Sequence, residues 1–494
     1  MSHAFPAPRP LRLVAALALA FGLHGAALAS PASDIAELKK ALAAMKSDYD
    51  KRLGTLETQL HDTQAQLAQA KAANASAAPS SASALATATP APLPPVADTT
   101  ASVAPAPAPA AAVDVSGNAP NGSANGGSFN PQISLILSGT YAHTSQDPGQ
   151  ARITGFALPP GAEIGVGSRG FSLAESELAL AANIDPWLAG NINLSIHGDD
   201  TIEAEEAFIT TTALPDGLVL KAGRFFSGIG YLNSQHSHTW DFVDNPIAYQ
   251  AMLGTQYADD GVQLHWLAPT DQYLEFGLEA GRGRGFPGGD NSRNAAGTVA
   301  FTFHTGGDIG DSISWRGGLS LLQASADDQT LVQDAYGQLD AQAQFDGRTR
   351  VLVADGVMKW SPNGNATRTY FKLQGEWLQS HRDGTLTQIA DGPLALHQVQ
   401  SGGYVQGVYQ FMPMWRVGLR TERLNPGRDN WALAPGNGDD FHPTKNSFMV
   451  DFSQSEFARI RLQYAQDRTR QGFIDNQWLL QYQTALGAHG AHAY

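Results

Sequence analysis

The segment NSQHSHTWDFVDNP, residues 233–246, holds two histidines, two aspartates, two asparagines and a tryptophan. Groups of these types support three kinds of chemistry. One is metal binding. His236 and His238, two apart on an extended segment, put both imidazoles on one side, and with Asp241 they offer nitrogen and oxygen ligands to zinc. The second is nucleophilic catalysis. The chain has no G-x-S-x-G motif and no Ser/His/Asp set stands out, so it is not read as an enzyme. The third is the polar lining of a water-filled space. Asn233, His236, His238, Asp241, Asp244 and Asn245 suit that role, with Tyr231, Trp240 and Phe242 pinning the segment to a wall. No third histidine sits at firm spacing and cysteine is absent. Lining is therefore the first reading and needs no cofactor; zinc on His236, His238 and Asp241 is the second.

A segment so loaded needs elements to hold it. From about residue 130 to 494, apolar and polar residues alternate in runs of about ten, the pattern of transmembrane β-strands. In QYLEFGLEAG (272–281), Leu274, Phe276, Leu278 and Ala280 share one face, and Tyr273, Glu275, Gly277 and Glu279 the other. In EFARIRLQYA (456–465), Ile460, Leu462 and Tyr464 oppose Arg459, Arg461 and Gln463. Such runs predict an all-β transmembrane barrel of about 16 antiparallel strands. Its connections alternate in length. Short turns such as LPDG (214–217), PTD (269–271) and MP (412–413) alternate with longer stretches that include 142–170, 227–259, 283–296, 325–348, 381–401 and 425–443.

Parity also places charge. Glu175, Glu177, Glu203, Glu205, Glu275 and Glu279 fall on polar strand faces, as do Arg316, Arg416, Arg420, Arg459 and Arg461. An arginine facing lipid at the midplane costs roughly 2–4 kcal/mol, so these groups are expected to line the lumen. One wall is then acidic and the other basic. A transverse field that orients polar solutes is the functional reading, and salt bridging that fills the lumen is the structural one.

The region before the barrel is different. Residues 1–29 read as a secretory signal peptide, with Arg9 and Arg12 ahead of the apolar LVAALALAFGL and an ALA cleavage site at 27–29. Residues 30–72 read as a coiled-coil helix whose apolar seam runs through Ile35, Leu38, Leu42, Leu53, Leu56 and Leu60 and needs copies of itself, so a homotrimer is expected. Residues 73–129 are an Ala/Pro/Ser/Gly-rich disordered linker. No run approaches the roughly 18 apolar residues of a membrane-spanning helix. A net charge of −15 without a Lys/Arg tract argues against nucleic acid as a partner.

The phrases AGRFFSGIGYLNSQHSHTWDFVDNP, DDGVQLHWLAPTD, GGDIGDSISWRGG and LGAHGAHAY resemble a family of proteobacterial outer-membrane proteins often labelled zinc-regulated TonB-dependent outer membrane receptors, and are similar to porins of the phosphate-selective O/P type. The resemblance covers about residues 130–494. It implies a Gram-negative outer membrane, a periplasmic N-terminal region, lipid as a partner, and a barrel-insertion machinery reading the last strand, which ends at Tyr494. By resemblance to porins, the third long connection, 227–259, folds inward as the constriction. Energised receptors have about 22 strands around a plug; the count here and the coiled coil ahead of it favour a passive porin for small polar or charged solutes. The alternatives are a zinc-linked TonB-dependent uptake receptor and a structural tether between outer membrane and cell wall.

Overall fold

Strict alternation over ten or more residues can close only one way in lipid. Every strand must pair on both edges, so that no backbone group is left without a partner. The computed structural model describes residues 131–198, 201–289, 294–333, 341–388, 392–427 and 441–487, and among these it has that closed form. The signal peptide, coiled coil, linker and Tyr494 lie outside the described residues.

In chain order the strands are β1 (Gln132–Thr144), β2 (Gly170–Leu173), β3 (Ser176–Asn183), β4 (Leu188–Ile196), β5 (Ile202–Thr211), β6 (Leu218–Phe226), β7 (Ala258–Leu267), β8 (Tyr273–Gly281) and β9 (Thr298–Ile309). They continue as β10 (Ile313–Gln333), β11 (Ala341–Trp360), β12 (Tyr370–Gln388), β13 (Gly392–Met412), β14 (Trp415–Asn425), β15 (Thr444–Ser455), β16 (Ala458–Arg468) and β17 (Asp475–Gly487). Apart from β2 and β3, which do not pair with each other, each pairs antiparallel with its neighbours in sequence. β2 and β3 both lie against β1, Leu173 opposite Gly139 and Leu178 opposite Leu135. They are two pieces of one strand interrupted at Ala174 and Glu175. β1 then closes on β17, from Ser134 opposite Gly487 to Thr144 opposite Gln477, so the ring counts 16 strands as the alternation predicts.

The burial pattern is that of a soluble protein turned inside out. On β8, Leu278 is 53% exposed while Glu275 and Glu279 are buried. On β17, Leu480, Tyr482 and Leu486 are exposed while Gln477, Gln481 and Gln483 are buried. Aromatic pairs sit toward both rims: Trp266 with Phe276 (5.6 Å) and Trp415 with Phe452 (4.7 Å) toward the short turns, Tyr141 with Phe171 (4.8 Å) and Tyr464 with Trp478 (4.9 Å) toward the long loops. An apolar outer band flanked by aromatics fits a bilayer and its two interfaces. Arginine at position 278 is expected to destabilise the barrel by ~2–4 kcal/mol in a reversible vesicle-folding titration, an effect absent from exposed loop positions.

Two stretches depart from the sequence reading. Residues 325–348 and 381–401 are expected there as loops, yet β10–β11 and β12–β13 run on as long hairpins, leaving 334–340 and 389–391 between them. The cause is a reversal of phase. Lower on these strands the inward residues are polar, such as Ser320 and Glu376. Beyond them apolar residues join the inward face, and Leu331, Phe345, Leu386 and Leu396 form a buried cluster with Ala157. A search for apolar-out alternation cannot recognise strands whose apolar side faces in.

Candidate functional site

The segment from Ser227 to Tyr257 leaves β6, crosses the interior and returns to β7. Asn233 clamps its two legs: its Nδ2 donates to the carbonyls of Ser227 (2.8 Å) and Tyr257 (2.9 Å), and its Oδ1 accepts from the Tyr257 amide (2.8 Å). Near the neck, Glu279 accepts from the Ser227 hydroxyl (2.5 Å) and the Gly228 amide (2.8 Å). Further on, Glu376 of β12 accepts from the amides of Tyr231 (2.9 Å) and Leu232 (3.0 Å) and from the hydroxyls of Tyr249 (2.7 Å) and Tyr404 (2.6 Å). Gly230 has φ +68°, and a Cβ there would lie 2.4 Å from Glu376 Oε2, so only glycine lets the backbone come this close.

The return leg carries one short helix, α1 (Ile247–Leu253), entered at Pro246 and ended by Gly254 in the left-handed conformation (φ +64°). All seven of its residues are buried. Its apolar cluster includes Leu322, Val351, Val353, Leu378, Tyr404 and Leu424 from the barrel wall. The Ile247 amide donates to Glu422 Oε2 at 2.6 Å. One side of the lumen is therefore filled by apolar packing.

The loaded stretch spans the other side, between an acidic and a basic wall. At the basic end, Asp244 meets Arg420 Nη2 (2.7 Å), Lys445 Nζ (2.6 Å) and Gln463 Nε2 (2.7 Å). Asp241 meets Lys372 and Arg416 (3.4 Å) and accepts from Gln406 (3.0 Å). Arg459 and Arg461 donate to the carbonyls of His238 and Trp240, each at 2.7 Å. Asp451 of β15 pairs with Arg416 (2.9 Å) and Arg461 (3.3 Å). Burial alone would raise the carboxyls of Asp241 and Asp244. Lys372 and Arg416 for the first, and Lys445 and Arg420 for the second, more than offset it and hold both below the ordinary aspartate range.

At the acidic end, His236 Nε2 lies 3.0 Å from Glu206 Oε2, and its Nδ1 lies 3.3 Å from Glu177 Oε1 and 3.4 Å from Glu205 Oε2. His238 Nδ1 lies 2.8 Å from Glu177 Oε2, and the Ser237 hydroxyl donates to Glu175 (2.7 Å). The structure thus brings Glu175, Glu177 and Glu205 to the two histidines. It takes Asp241 away to Lys372 and Arg416, so His236, His238 and Asp241 do not form the zinc triad that their spacing allows. The reason is charge: a carboxylate is drawn to the cations of β12 and β14.

The other parity-placed residues are more scattered. Glu203 is half-exposed and pairs with Arg284 (2.7 Å) outside the cluster. Glu275 lies 3.0 Å from both His265 and His304. The Arg316 guanidinium stands 5.4 Å from the centre of the Tyr231 ring. Parity also points inward at Lys372, Glu376, Glu422, Lys445 and Asp451, which the sequence reading passes over. Glu206 is a different case. A bulge pairs Asn193 with Glu206 and Leu194 with Ala204, leaving Glu205 as the extra residue, so adjacent glutamates both reach His236. No alternation rule finds it.

No family model matches the chain. A protein of Aquifex aeolicus (strain VF5), described as an uncharacterized protein, is 30% identical over 397 residues, covering 74% of this chain and 80% of that one. Solved structures similar to the chain include the trimer form of OmpT of Vibrio cholerae (TM-score 0.46, 11% identity, 72% of this chain and 99% of that one). The outer membrane channel DcaP of Acinetobacter baumannii has a TM-score of 0.45 at 9% identity, covering 72% of this chain and 97% of that one. Pseudomonas putida OprB has a TM-score of 0.45 at 13% identity, covering 72% and 94%.

Proposed function

We propose that this chain, which belongs to one family with the Aquifex aeolicus protein, is a porin of the Gram-negative outer membrane. It admits small polar or charged solutes by passive diffusion. The observation that carries the reading is the segment 227–257, held across a closed barrel by Glu376 on one side and by Arg420, Lys445 and Arg461 on another. A barrel of 16 strands encloses more space than its own side chains fill, and porins of that size leave an aqueous channel. The inward segment narrows that space. What then borders the narrowed space is a segment packed against carboxylates and imidazoles at one end and guanidinium groups at the other, most of them buried. The basic groups are engaged by Asp241, Asp244 and Asp451, so the lumen discriminates by size and polarity more than by an unscreened transverse field.

Purified protein added to a planar lipid bilayer is expected to give stepwise, ohmic conductance in salt, and liposome swelling should fall off with sugar size. A folded barrel that stays electrically silent counts against the porin and in favour of a tether.

A further inference from the structure

We propose a binding site for a divalent cation of the zinc class inside the barrel, formed by His236 Nδ1, Glu177 Oε1 and Glu205 Oε2. The three donor atoms lie within 4.8 Å of one another. Nδ1 stands 3.3 Å from the Glu177 oxygen and 3.4 Å from the Glu205 oxygen. Ligands on a tetrahedral ion with bonds of about 2.0–2.1 Å are separated by about 3.3–3.4 Å. The nitrogen-to-oxygen spacing is therefore that of a zinc shell.

The ring is also turned the right way. His236 Nε2 lies 3.0 Å from Glu206 Oε2; in the tautomer whose ring proton sits on Nε2 and is donated to that carboxylate, the Nδ1 lone pair is left for a metal. Glu206 is a positioning residue here, a carboxylate behind the histidine.

A second observation is the pattern of atoms left over. His236 Nδ1 and Glu205 Oε2 are both sealed from solvent, and their contacts are the ion pairs at 3.3 and 3.4 Å rather than hydrogen bonds of good geometry. Ser195 is wholly buried on β4, opposite Glu177 and Glu203 in register, and its hydroxyl has no hydrogen-bond partner. Unbonded buried polar atoms are costly, and several gathered beside one spot point to a ligand that satisfies them. Charge points the same way: Glu177, Glu205 and Glu206 converge on His236, an excess of negative charge that a dication offsets.

The donor set selects among ions. Calcium and magnesium prefer six or more oxygens, whereas one imidazole with two carboxylates suits zinc and its neighbours. Three protein donors leave a fourth position for water or a passing ligand. The site does not depend on whether the barrel conducts.

The test is zinc titration of the full-length protein, folded in detergent and stripped with chelator, read by calorimetry and by metal analysis after gel filtration. About one zinc per chain with a submillimolar dissociation constant is expected, uncontested by excess magnesium or calcium. His236→Ala and the near-isosteric Glu205→Gln should each weaken binding by about 10-fold or more, Glu206→Gln by about 10–100-fold, and His397→Ala, an exposed histidine, should not. Heat-modifiable gel mobility confirms that each variant is folded. Absence of zinc binding by the folded wild type, or wild-type affinity in both His236→Ala and Glu205→Gln, overturns the proposal.

Discussion

Replacing Asp244 with alanine is expected to unpin the inward segment and widen the channel. The substitution strips Arg420 and Lys445 of a shared counter-ion and leaves Gln463 without one of its partners. Both cations are buried, and breaking a buried pair by removing one member costs about 3 kcal/mol or more where the remaining charge has no other partner; here Glu422 still faces Arg420 (2.7 Å) and Asp467 faces Lys445 (3.5 Å), so a smaller loss is expected. The rest of the barrel needs none of these contacts, so strands should form normally. Single-channel conductance should rise, and protease added to reconstituted vesicles should cut within 227–257. Unchanged conductance in a folded D244A barrel would mean that the segment is held elsewhere.

The same residue sets an acid limit. Its folded carboxyl is held below its unfolded value, so its contribution is fully present above the ordinary aspartate range and is lost as pH falls through the folded value. Mild acid that protonates ordinary surface carboxylates should leave the wild-type segment in place.

Glu376→Ala is expected to act on the neck of the segment and to cost stability as well. Four donors converge on this one side chain: two amides and two tyrosine hydroxyls, all buried. Hydrogen bonds to a charged acceptor contribute about 1.5–3 kcal/mol each, and the four are not additive, so a loss of about 3 kcal/mol or more is anticipated. Glu376→Gln keeps the shape and two acceptor lone pairs and should lose less. Denaturant unfolding in detergent orders the three proteins. Equal midpoints for wild type and E376A would contradict the role given to this residue.

Much of the barrel is legible in the sequence because lipid and water impose opposite demands on adjacent residues. QYLEFGLEAG states its two faces plainly, and β8 presents them as stated. Arg459 and Arg461 follow the same rule on β16. The rule fails wherever its premise fails. Along the outer parts of β10–β13 apolar residues pack inward against Ala157 and Phe286 from the connecting segments, so the apolar phase inverts and strands look like loops. At Glu205 and Glu206 one inserted residue breaks the period. Asp241 exposes a third limit. Spacing tells which side chains can meet, but the cations of distant strands decide which of them do.

The contacts that hold the segment join parts of the chain far apart: Tyr231 to Glu376 across 145 positions, Arg420 to Asp244 across 176, Val243 to Gln463 across 220. The segment meets early strands through Glu177, Glu206 and Glu279, but its hold on the basic wall needs β12, β14 and β16 in the ring. A ring without those strands therefore lacks the anchors that fix the segment against the basic wall.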